Sequence, residues 1–177
     1  MSCKLIIVLP YSLLYKSRGY NVKALTYHGS RDIRYQEFAD AQVSSADQVV
    51  VQMQKCGICG SDLHIYHGQG FSQDLGFCVG HEAVGEVVEV GADVKRYRAG
   101  DQVMISAAVG CGSCGPCLAG HINLCANNAT GCYGLSHQLQ GCQAEGIVVP
   151  KADFNLAKIP EGVSVDQALM LTDNLPT

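Results

Sequence analysis

The chain has no surplus of positive charge: 12 Lys and Arg stand against 16 Asp and Glu, a formal net charge of −4. A protein that grips nucleic acid through phosphates needs that surplus to displace counterions, so the balance argues against this class. No apolar run approaches the roughly 18 residues that a membrane-crossing helix requires. There is no internal repeat and no low-complexity segment. Charged residues are scarce at 16%, but apolar residues reach 47%, so the chain can pack a core and is not a disordered segment. A length of 177 residues fits one domain with at most a short appendage.

Cysteine is the abundant exception, with ten in the chain. Disulfide-stapled secreted domains are usually shorter than this, whereas short regular gaps between cysteines read as a metal site. Cys111, Cys114, Cys117 and Cys125 form C-x2-C-x2-C-x7-C. Gly110, Gly112, Gly115, Pro116 and Gly120 supply the turns that bring thiolates from one loop onto a single ion. Four thiolates without histidine suit tetrahedral zinc at a closed site. An iron–sulfur cluster is the rival reading, since C-x2-C-x2-C also opens the bacterial ferredoxin pattern. That pattern closes with C-x3-C-P, and here no Pro follows Cys125, so zinc is favoured.

The same loop contains Gly110-x-Gly112-x-x-Gly115, which matches a dinucleotide fingerprint in letters only. A fingerprint opens a helix and has an acid about 20 residues on. Here Gly120 comes too soon after Pro116, and no Asp or Glu lies between Asp101 and Glu145. The match is rejected.

Short runs rich in Val and Ile dominate from Val22 onward: Val22–Tyr27, Gln48–Gln54, Val84–Val90, Gln102–Ser106 and Gly146–Val149. Such strands, separated by many of the 20 glycines, predict a mainly β fold of the twisted-barrel or sandwich kind. Two helical pieces are expected, the first a short turn at Ser61–Tyr66. Ser164-Val165-Asp166-Gln167 is a capping box that opens a helix through about Thr172.

Residues 1–21 differ in pattern. Lys4 precedes an apolar stretch from Leu5 to Tyr15, interrupted by Pro10 and followed by Lys16 and Arg18. An A-x-A-like cleavage site is missing, so the expectation is a disordered or non-native leader rather than an export signal. Val22 then stands where an initiator Met would be expected.

Further candidate ligands are scattered: Cys56, Cys59, His64, His81, Glu82 and Asp173. Scattered ligands with one position left open are what a catalytic zinc uses. Each also has a plain reading, as a surface histidine or a C-x-x-C redox pair. Gly80-His81-Glu82-Ala83-Val84-Gly85, with Gly91 and Val94 behind it, resembles the signature of zinc-containing alcohol dehydrogenases. Gly57-Ile58-Cys59-Gly60-Ser61-Asp62-Leu63-His64 is similar to that family's first ligand segment. The four-cysteine lobe matches the family's structural zinc lobe, and Leu171 to Thr177 resembles the segment carrying its last catalytic ligand.

The resemblance spans about residues 22–177 and implies a GroES-like twisted β-barrel with short helices, the catalytic half of the medium-chain dehydrogenase/reductase fold. It implies Cys59, His81 and Asp173 as catalytic zinc ligands, with Asp173 in place of the second thiolate of the Cys₂His set found in alcohol dehydrogenase. Glu82 is implied as the adjacent carboxylate, Ser61 as the proton-relay hydroxyl and His64 as a relay histidine. Thr177 falls at the entry to the cofactor-binding part. Cys56 is read as ordinary packing.

The implied activity is NAD- or NADP-dependent oxidation of a small alcohol to an aldehyde or ketone, in the cytoplasm, by a possible homo-oligomer. The cofactor domain itself is not among these residues, so the expectation is a catalytic domain that works only when completed by one. A non-catalytic zinc-binding or dimerisation module is the alternative. Cys142, where the family usually has a second Gly, is expected to strain a turn that needs positive φ.

Overall fold

The computed structural model describes residues 7–8, 22–127 and 131–176. Strands β1 (Ile7–Val8), β4 (Val49–Cys56), β5 (Ala83–Val90), β6 (Gln102–Ile105), β7 (Gly146–Val149) and β8 (Leu156–Lys158) form one antiparallel sheet. β4 is its centre. It pairs with β5 along its length, and on its other edge with β7 and, at Lys55 and Cys56, with β1. Strands β2 (Val22–Gly29) and β3 (Asp32–Phe38) make a separate hairpin. Isolated bridges from Ala24 to Ala144 and from Thr26 to Cys78 join the hairpin to the rest.

The sequence explains why β4 is central. Val49, Val50 and Val51 are all fully buried, as a run of β-branched residues covered on both faces should be. Val49, Val51 and Met53 join Val87, Val103 and Ile147 in the main core. Beyond the sheet, Val84 packs with Ala168 and Leu169 of the helix α4 (Val165–Leu169). Two bulges break the β4–β5 register, between Val50 and Val51 and between Met53 and Lys55. Bulges bend a strand and sharpen its twist, which curls the sheet toward a barrel.

The mainly β architecture expected from the short Val/Ile runs is therefore present, and every expected strand is found within two residues of its reading. Three strands were not legible, the two-residue β1 among them. β3 is largely exposed and polar, so no apolar alternation marks it, and β8 has only three residues. Ser61–Tyr66, expected as a short helical piece, is the helix α1 (Gly60–Tyr66). The capping box at Ser164 is realised: Gln167 N donates to Ser164 Oγ at 3.2 Å, and Ser164 N donates to Gln167 Oε1 at 2.9 Å. The helix then widens into a π-helical turn, Met170–Asn174. Lys55 pairs with Asp166 and ties α4 to β4, which fixes where that turn begins.

Cys142 corrects an expectation. The only described non-glycine residues with positive φ are Arg31 and Lys151, so no turn strains Cys142. It is fully buried in the main core, and its N–H donates to Gly80 O at 2.9 Å. The steric demand for glycine falls one residue earlier: a Cβ on Gly141 would lie 2.1 Å from Val79 O. Gly141→Ala is expected to lower stability by roughly 3 kcal/mol or more, because backbone rather than a movable side chain blocks the methyl group. Denaturant unfolding midpoints check this.

Candidate metal centres

The first centre is the cysteine loop. Cys114 caps the short helix α2 (Gly115–Leu118), Cys117 lies within it, and Cys125 ends a 3-10 turn at Ile122–Leu124. The four sulfurs all lie within 4.8 Å of one another. Backbone N–H groups soften the accumulated charge: Cys114 N donates to Cys111 Sγ at 3.4 Å, and Ala126 N donates to Cys114 Sγ at 3.4 Å. The Ser113 hydroxyl, followed by nearby backbone N–H groups, holds the Cys111 thiol down to about 5. Backbone N–H groups of Cys117 and Ala126 lower Cys114, whereas burial pushes Cys117 up to about 11. The loop is bolted to the barrel through buried Asn155: Gly110 N donates to Asn155 Oδ1 at 2.9 Å, and Asn155 Nδ2 donates to Gly110 O at 3.0 Å.

The second centre is assembled from three distant segments. Cys59 caps α1, His81 lies two residues before β5, and Asp173 sits in the π-helical turn after α4. Their donor atoms all lie within 4.8 Å of one another. Asp173 Oδ2 is 3.6 Å from Cys59 Sγ and 3.9 Å from His81 Nε2. Ligand bonds of about 2.0–2.3 Å around a tetrahedral ion place donors about 3.3–3.8 Å apart, so this spacing fits zinc. One thiol, one imidazole and one carboxylate also leave a fourth position open, as a catalytic site requires.

His81 is only 4% exposed, and its Nδ1 has no hydrogen-bond partner among the described residues. Asp62 Oδ1 faces that nitrogen at 3.9 Å, while Asp62 Oδ2 accepts from Cys59 N at 2.9 Å. A carboxylate behind a ligating histidine fixes its tautomer and raises its basicity. Burial pushes the Asp62 carboxyl up, opposed by the His81 charge and the Cys59 N–H. The sequence reading assigned Asp62 no role. Its only sequence signal is position: it is the third residue of a helix capped by a candidate ligand, where a side chain turns back toward the cap.

The other expected site residues are dispersed around this centre. Ser61 Oγ lies 3.8 Å from Cys59 Sγ. Glu82 is fully buried beside Gly57: a Cβ on that glycine would come 2.0 Å from Glu82 Oε2. His64 is exposed on α1, and no hydrogen bond joins its ring to Ser61 among the described residues. Thr177 lies outside the described residues. Cys56 is buried and donates to Cys142 O at 2.8 Å, which agrees with packing. Cys132, not singled out from the sequence, has its thiol pushed up to about 12 by burial and then by the charges of Asp173, Asp62 and Cys59. No helix among the described residues is long and apolar enough to cross a membrane.

Comparison with known proteins accords with this geometry. Residues 45–161 match the alcohol dehydrogenase GroES-like domain. A probable zinc-binding alcohol dehydrogenase of Mycobacterium tuberculosis is 41% identical over 157 residues, covering 88% of this chain and 40% of that protein. Among solved structures, an alcohol dehydrogenase from Thermus sp. ATN1 superposes with a TM-score of 0.80 at 33% identity, covering 85% of this chain and 44% of that one. Acetophenone reductase from Geotrichum candidum, solved in complex with NAD, gives a TM-score of 0.76 at 28% identity, covering 89% of this chain and 46% of that one. The chain thus spans less than half the length of each of these relatives. With most of its residues matched to that domain, the chain belongs to the alcohol dehydrogenase GroES-like domain family.

Proposed function

We propose that these residues form the zinc-bearing catalytic domain of an NAD- or NADP-dependent alcohol dehydrogenase acting on a small alcohol or aldehyde in the cytoplasm. The observation that carries this reading is the convergence of Cys59, His81 and Asp173 from three separate segments. Zinc, when bound there, polarises the alcohol oxygen and makes its proton easier to remove.

The chain's own residues do the rest. Cys59, His81 and Asp173 would hold the metal, with the Asp62 carboxylate facing the far nitrogen of the His81 ring at 3.9 Å. Ser61, beside Cys59, is placed to take the proton from the substrate oxygen. His64 stands exposed on the same helix, where a proton leaving Ser61 would reach water. Glu82 offers a buried carboxylate one residue from His81. The cysteine loop holds a second zinc with a structural role. A nicotinamide as hydride acceptor, and assembly into an oligomer, are what the family implies.

Asp173→Ala tests the ligand set. Under a mild chelator, the variant is expected to lose the zinc held by Cys59 and His81 about tenfold faster than the unsubstituted chain while keeping the cysteine-loop zinc. Equal retention at both sites would show that Asp173 is not a ligand.

A further inference from the structure

Gln143 has no role in the account so far, yet it contacts residues on either side of the second centre: Gly57 and Asp62 around Cys59, and Val79 and Gly80 before His81. It is 5% exposed. Its Nε2 donates to Gly57 O at 3.2 Å and to Asp62 Oδ2 at 3.4 Å. Both neighbours are acceptors, so the amide nitrogen rather than the oxygen must face them. Gly57 O belongs to the segment leading into Cys59, and Asp62 is the carboxylate behind His81. On its other side Gln143 lies across Gly80, the residue before His81. A Cβ there would come 2.5 Å from Gln143 Cγ, and Gly80 has φ +96. Gln143 N also donates to Val79 O at 2.9 Å, which fixes its backbone against the same segment.

One amide therefore bridges the two ligand-bearing segments and contacts the charge that orients the histidine. The two segments are also joined near the centre by the Gly57 N–H to Glu82 O bond at 2.9 Å, by the Gly80 N–H that donates to the Asp62 carboxylate, and by the packing of Glu82 on Gly57. We propose that Gln143 is a positioning residue for the second metal centre, setting Cys59 against His81 through Gly57 O and Asp62. This rests on the metal reading above. Its neutrality matters as well as its reach. Asp62 is buried and already accepts from the Cys59 and Gly80 N–H groups, and an amide N–H adds a donor without adding a charge that would compete with the His81 ring for the carboxylate.

The test uses the full chain loaded with cadmium-113, whose NMR signal separates a four-sulfur site from a mixed sulfur, nitrogen and oxygen site. Gln143→Met keeps volume and removes the donor. It is expected to weaken metal binding at the mixed site about tenfold, the lower end of the range for residues outside the ligands, with the four-sulfur signal unchanged. Asp62→Asn should weaken it at least as much. The double variant should then be no weaker than Asp62→Asn alone, within about twofold, because the two residues act as one unit.

Additive losses, or a Gln143→Met chain that binds as tightly as the unsubstituted one, would overturn the proposal. If Gln143→Met also loses the four-sulfur signal, it has misfolded, and Gln143→Glu, which keeps the shape but replaces the amide, decides by the same readout. Absence of a mixed-site signal in the unsubstituted chain would instead overturn the metal reading itself.

Discussion

Supplied with NAD or NADP and a panel of small alcohols, the purified 177-residue chain is expected to produce no detectable reduced nicotinamide. The described residues bring together three candidate metal ligands, with the Ser61 hydroxyl beside Cys59 as the proposed relay. They provide no glycine-rich turn opening a helix against which a dinucleotide could lie. The candidate Gly110-x-Gly112-x-x-Gly115 is consumed by the cysteine loop, where only the four-residue α2 follows. Holding the nicotinamide about 3–3.5 Å from the alcohol carbon is worth roughly 7–11 kcal/mol of barrier. At about 1.36 kcal/mol per factor of ten, its loss removes at least five powers of ten in rate, below any practical assay. Alcohol-dependent reduction of either nicotinamide by this chain alone would refute the argument.

Cys114→Ser is expected to remove the metal from the cysteine loop and destabilise more than the loop. Structural zinc contributes about 10–16 kcal/mol of apparent binding energy in zinc-finger peptides, and where no site exists before folding that energy is folding energy. Cys114 both caps α2 and donates one of the four sulfurs, so the substitution breaks the site at a turn. The disturbance has a path into the barrel. Gly110 exchanges two hydrogen bonds with Asn155, which is buried and adjoins β8. The expected result is about one equivalent of zinc rather than two, cleavage by protease within residues 111–127, and a fall of several degrees in melting temperature. Metal content, limited proteolysis and thermal melts check it. Visible absorption near about 400 nm with stoichiometric iron and sulfide in the unsubstituted chain would instead establish an iron–sulfur cluster at these thiolates.

What could be read before the structure depended on how local the signal was. The Cys111–Cys125 loop was legible because all its ligands lie in one stretch, and spacing alone implies convergence. Cys59, His81 and Asp173 could be named only through a resemblance, since nothing local in the sequence says that a π-helical turn at the far end of the chain returns to α1. Asp62 and Gln143 were missed for the same reason: each matters through partners it meets in space. Gln143 in particular reaches back to Gly57, far away along the chain. β4 was legible because burial on both faces demands a Val run, whereas β3, exposed on its outer side, carries no such demand. The expectation about Cys142 failed because it carried a conformational requirement over from a pattern, when the constraint at that bend is space at Gly141. The expectations for residues 1–21 fall almost wholly outside the described residues, Ile7–Val8 excepted.

The two donor sets also differ in how much chain must be closed to make them. The cysteine loop gathers its sulfurs between residues 111 and 125, whereas the second centre joins residues 59, 81 and 173. Closure entropy grows by about 0.6 kcal/mol for each doubling of loop length, so the wider set costs about 2 kcal/mol more in chain entropy alone. It also requires β4, β5 and α4 to be docked before its third donor arrives. Occupancy of the loop therefore reports only on its own turn of chain. Occupancy of the second centre reports on closure of the whole barrel, and by reciprocity a metal held there stabilises the barrel as a cross-link between its two ends would.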